Sequence, residues 1–230
     1  MTRTTNARLA GFTFLFYIAA ALPSTMLFDR AASGEGTAAR LASVAQHASD
    51  VRIAIVLSLL SSFTALVLAV ALYGITRDED HELAVLALSC RVGEGVIGAV
   101  FLIVELGVLW LGTAAGAGAP DAMAANALGA FLLKARGWGI LLGAMFFAVG
   151  STIFSWLLVR GRTVPVPLAW LGVLASVLLV ALLPAQLAGV LRGTMTSWVW
   201  MPMLVFEVAV AFWLLIKGVA IPETRPRTQA

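Results

Sequence analysis

The sequence predicts an all-α, polytopic membrane protein: a bundle of six transmembrane helices. Three observations carry that expectation. The 230-residue chain is 61% hydrophobic, with a mean hydropathy of +0.98. Only 12% of its residues are charged, against about 25% in soluble domains. The apolar residues come in long continuous runs, not in stripes at helical spacing or in the short alternating segments of a β-barrel.

The first span is expected at about 9–28, behind Arg3 and Arg8. Those basic residues, with small residues near Ala31–Ser33, also fit a cleaved signal peptide. The apolar run continues through Met26 to Phe28, which favours a retained helix. Further spans are expected at about 53–76, 83–111, 137–159, 168–191 and 198–217. Each has the ~20 residues that cross a hydrocarbon core of about 30 Å. The third is the longest and is expected to tilt. Pro165 and Pro167 suit the start of the fifth span, where proline is tolerated. Pro184 and Pro202 are expected to free backbone carbonyls inside the membrane. Two connections are long. Residues 29–52 hold a possible surface helix at 37–48, and 112–136 read as a flexible Gly/Ala stretch followed by an interfacial helix. One membrane domain covers residues 1–230.

Orientation follows from lysine and arginine in the loops. A cytoplasmic N-terminus puts Arg3, Arg8, Arg77, Arg160, Arg162, Lys217, Arg225 and Arg227 inside. Arg30, Arg40, Arg52, Lys134, Arg136 and Arg192 then lie outside. The bias is small, but Arg160 and Arg162 occupy a very short loop, where the rule is strongest. Trp198 and Trp200 fit an outer aromatic belt, and Lys217 fits snorkelling on the inner side. Both termini are therefore expected in the cytoplasm.

The third span, "SCRVGEGVIGAVFLIVELGVLW" from Ser89 to Trp110, carries Arg91, Glu94 and Glu105. Arg91 and Glu94 are three residues apart and share a helix face. Glu105 follows Glu94 by eleven residues, within about 20° of the same face. A charge at the bilayer centre costs about 2.5–3.5 kcal/mol on insertion scales, so these groups need partners. Glu207, midway along the sixth span, is the other deep acid. Two clusters are expected. One joins Arg91, Glu94 and Glu207 inside the membrane. The other sets Glu105 against Lys134 or Arg136 near the outer surface. Buried ion pairs that lock helices together and a ligand site with Arg91 as anion partner both fit the first cluster.

Other chemistries have little in their favour. The net charge of +3 comes from basic residues scattered at span ends, so nucleic acid is not an expected partner. The single cysteine, Cys90, can form no internal disulfide. "RDEDHE" at 77–82 suits a helix N-terminus better than a metal, with Asp78 or Asp80 as N-cap. No metal site and no cofactor are expected. No nucleophile motif appears, and both histidines lie outside the spans, so an enzyme is not the expected reading.

The stretches "ARLAGFTFLFYIAAALP", "CRVGEG", "VPVPLAWLGVLA" and "FEVAVAFWLLIKGV" together resemble a bacterial membrane family known as domain of unknown function 4386. The resemblance implies six helices in a bacterial cytoplasmic membrane and no particular activity. The leading expectation is a membrane protein that binds a lipid headgroup or small anionic ligand at Arg91, Glu94 and Glu207. Its rivals are a secondary transporter or proton-coupled carrier using Glu94 or Glu207, and a non-catalytic assembly or sensor subunit. Membrane lipids are the expected surroundings and partners.

Overall fold

The structure, a computed structural model, describes residues 2–114, 119–191 and 198–219. Seven helices account for most of them: α1 (Arg3–Ala31), α2 (Gly36–Gln46), α3 (Ala48–Thr76), α4 (His81–Thr113), α5 (Ala122–Arg160), α6 (Val166–Leu187) and α7 (Met201–Ile216). Five of these, α1 and α3 to α6, are long and apolar enough to cross a membrane. The protein is thus an integral membrane protein. The sixth expected span is apolar but shorter: α7 has 16 residues, or about 24 Å at 1.5 Å per residue.

Helix ends follow local chemistry. The Thr2 hydroxyl accepts from the Thr5 amide at the start of α1, Asp80 Oδ1 from Leu83 at the start of α4, and Asp121 Oδ1 from Ala124 at the start of α5. Gly218, at φ +71°, ends α7 with its amide on the Trp213 carbonyl.

Three expectations change. The longest helix is α5, at 39 residues, not α4 at 33. Asp121 caps it well before the apolar run begins, and the alanine-rich segment after it has high helix propensity. The expected interfacial helix is therefore the first turns of α5. Pro202 lies in the first turn of α7, where proline sacrifices no intrahelical bond. Pro184, by contrast, is inside α6, one turn from its end. Arg192, Arg225 and Arg227, used to weigh orientation, lie outside the described residues.

The helices close a ring: α1 packs on α3, α3 on α4, α4 on α5, α5 on α6, α6 on α7, and α7 back on α1. Lipid is as apolar as leucine, so close packing holds these joints more than the hydrophobic effect does. Small residues make it possible. A Cβ on Gly11 would lie 2.6 Å from the Ala211 carbonyl oxygen, so α1 and α7 meet backbone to backbone. The short α2 lies across one end of the bundle, with Leu41 and Val44 buried against α4 and α5. Two buried cores result. One gathers Leu68, Ile75, Phe154, Leu157, Leu179 and Leu214. The other gathers Phe28, Val44, Val51 and Val108 beneath α2.

Candidate functional site

Helix α4 brings Arg91 and Glu94 onto one face because three residues make nearly one turn. Arg91 Nη1 lies 2.8 Å from Glu94 Oε2, though the N–H points off the line to the oxygen. The contact is an ion pair more than an aligned hydrogen bond. Tyr17 of α1 donates its hydroxyl proton to Glu94 Oε1 at 2.9 Å. Both Glu94 oxygens are thus engaged. The Arg91 guanidinium rests over the Phe147 ring of α5, 4.6 Å from its centroid, and 5.9 Å from that of Tyr17. These aromatic faces offer it a partial substitute for water. A Cβ on Gly150 would lie 2.9 Å from Arg91 Cγ, so the missing side chain lets α5 close over the arginine.

Glu207 reaches the same place from α7. It is 6% exposed, within electrostatic range of both Arg91 and Glu94, and its Oε1 has no hydrogen-bond partner among the described residues. Glu94 and Glu207 both face a cavity of about 500 Å³ enclosed by the ring. Arg91, 1% exposed, lies behind that lining and contributes nothing to it. The side chain expected to receive an anion is therefore sealed against α5. Tyr17, Phe147 and Trp200 add aromatic surface to the cavity, and Ser58, Ser61 and Ser62 add small polar groups from α3. Ser62 spends its proton on the Ser58 carbonyl, one turn back.

The opposite end of the cavity holds the second cluster. Arg136 Nε donates to Glu105 Oε1 at 2.8 Å, and its Nη1 donates to Asp29 Oδ1 at 3.0 Å. Its guanidinium lies over Phe28, 4.0 Å from the ring centroid. Lys134 takes no part. Two residues from Arg136 on one helix, it emerges about 200° around the axis. Its ammonium sits 5.4 Å from the Trp138 ring centroid, on the exposed side of α5. Glu94 and Glu105 both line the one cavity, consistent with eleven-residue spacing on a common face.

The side chains that sequence reading missed are Tyr17, Phe147, Trp200, Phe28 and Asp29. Tyr17 left a signal: it is one of only two tyrosines and sits in mid-span. The others are ordinary for a membrane helix or its end. Among the described residues no group of three His, Cys, Asp or Glu side chains is placed to hold a metal ion.

No curated protein and no solved structure matches the chain. One family does, over residues 9–218, a stretch from α1 to just past α7 that includes every residue of both clusters. The chain belongs to that family, the domain of unknown function DUF4386.

Proposed function

We propose that this is a six-span protein of the bacterial cytoplasmic membrane that binds a molecule drawn from the lipid phase in its central cavity. The observation that carries the reading is Glu207: a carboxylate 6% exposed, in the cavity wall, with an oxygen that has no partner among the described residues. An acid left so in a helix bundle is costly to the fold alone. Leu22, Ile140 and Met201 also line the cavity and are each about half exposed, so it opens onto the apolar flank of the bundle. Its size falls within the few-hundred to ~1,000 Å³ range of small-molecule sites.

The six-span reading draws on the closed ring, which α7 completes between α6 and α1. Cytoplasmic termini draw on charge at one end. There Arg3 lies 3.8 Å from Asp78 and 3.7 Å from Glu79, while Arg160 bonds Asp80 at 2.9 Å. Of the ligands expected from sequence, an anion paired with Arg91 is the least compatible with that residue's burial. A lipid or lipid-like amphiphile fits the lateral opening. A proton-coupled carrier is a second reading, favoured by the same unpartnered acid facing a cavity.

Gly143 supplies the test. It lines the cavity, and a Cβ there would meet nothing closer than 3.8 Å. Gly143→Leu should fill the space while the protein stays folded. Native mass spectrometry of protein released from membranes should show a bound small molecule, lost in Gly143→Leu. Equal ligand occupancy in both proteins rules the cavity out.

A further inference from the structure

We propose that the ligand is a single-chain amphiphile with a cationic ammonium head, the head seated at Glu207 among the aromatic rings and the tail leaving through the apolar flank. This rests on the reading of the cavity as a binding site and names the chemistry of its occupant.

Arg91 brings one positive charge to two carboxylates, and Glu94 holds it at 2.8 Å. Glu94's other oxygen takes the Tyr17 proton. Glu207, in the cavity wall, is left with a buried oxygen that has no hydrogen-bond partner among the described residues. A monovalent cation completes the cluster, because an ionised carboxylate shielded from water needs a counter-charge.

Tyr17 of α1, Phe147 of α5 and Trp200, just before α7, all line the same cavity as Glu207. The Phe147 and Trp200 ring centroids are 6.0 Å apart, at an interplanar angle of 38°. Several aromatic walls beside a carboxylate are the setting that attracts quaternary and alkylated ammonium groups. One face of Phe147 already carries a guanidinium, so the site's chemistry is suited to such cations.

Other head groups fit less well. An anion would need a free cationic side chain. Among the described residues, Arg91 is outside the lining, and Arg136, though in it, is bonded to Glu105 and Asp29. A zwitterionic phospholipid meets the same obstacle at its phosphate. A neutral head would leave Glu207 as it is. The tail's route is set by Met201, six residues before Glu207 on α7, or about 9 Å along the helix.

The test uses the full chain in an uncharged detergent, with saturable binding of radiolabelled dodecyltrimethylammonium as the readout. Dodecyltrimethylammonium should bind at least about tenfold more tightly than its uncharged carbon isostere, a difference in the range of cation–π plus ion-pair contributions. Dodecyl sulfate should not compete. Glu207→Gln should lower the affinity at least about tenfold, and Trp200→Ala should lower it as well. Asp80→Asn, outside the cavity, should leave it unchanged. The comparison of the two isosteres needs no variant, so a misfolded Glu207→Gln would not obscure the answer. Equal binding of the isosteres, still abolished by Gly143→Leu, overturns the cationic head and leaves the cavity reading standing. Saturable binding that Gly143→Leu does not touch, or no saturable binding of any of the three amphiphiles, overturns the cavity reading and this inference with it.

Discussion

The two charged clusters of this bundle share an inventory. Each sets one arginine against two carboxylates, with an aromatic ring beneath the guanidinium: Arg91 with Glu94 and Glu207 over Phe147, and Arg136 with Glu105 and Asp29 over Phe28. Each therefore carries a surplus negative charge when all its groups are ionised. They differ in where the surplus goes. The Asp29 side chain is 61% exposed, so water can solvate it. Glu207 is 6% exposed, and its buried Oε1 has no hydrogen-bond partner among the described residues. The same count of charges ends on a water-exposed carboxylate in one place and on a buried one in the other. What surrounds a cluster, not its composition, decides whether it asks for a ligand.

Removing each arginine tests that contrast most directly. Arg91→Leu strands two buried carboxylates and should cost about 3–5 kcal/mol. Unfolding in mixed micelles would measure it, and a loss below ~1 kcal/mol would break the comparison. The double variant Arg91→Leu/Glu94→Leu should recover part of the loss, since a buried pair replaced by apolar groups is often neutral. Arg136→Leu should cost less, about 1.5–3 kcal/mol, the range for a charge-assisted hydrogen bond. Only Glu105 is then stranded, because Asp29 falls back on water. If the two single variants prove equal, exposure is not the difference between the clusters.

A third pair, at the other end of the bundle, gives the smallest effect. The Leu83 amide and, next among the favourable contacts, Arg160 hold the Asp80 carboxyl below its ordinary value of 3.8. A lowered value means that the folded state binds this proton less readily than the unfolded one. The contribution is complete above the ordinary value and is lost as pH falls through the lowered one. Asp80→Asn should therefore flatten the acid limb of the stability profile below about pH 4. It should leave the ranking of the two arginine variants at neutral pH untouched.

What the sequence reveals of these clusters depends on how local each contact is. Arg91 with Glu94 is readable because both lie on one turn of one helix. Glu105 falls on the Glu94 face by spacing alone. The choice between Lys134 and Arg136 is not readable from distance along the chain, since both lie near Glu105 in depth. It depends on how α5 is rotated, and packing over Phe28 and against α4 sets that. Tyr17 and Trp200 were harder still: their roles exist only once α1 and α7 meet α4 and α5. Of the fold, the apolar runs mark five long helices, because hydrocarbon thickness writes itself into composition. They understate α5, whose first turns are alanine-rich and carry too little hydrophobicity to register.

The closing of the ring by α7 also has a consequence in time. Helix α4 enters the membrane with Arg91 and Glu94 three residues apart, able to neutralise each other before any later helix arrives. Glu105 must wait for Arg136 on the next helix. Glu207 comes last, on the final described helix, and only then does the cavity gain its last wall. A ribosome still attached to the chain would hold a bundle with Arg91 and Glu94 already paired but open on one side. The surplus acid is the last of these charges to arrive, so occupancy of the site can begin only once α7 has joined the ring.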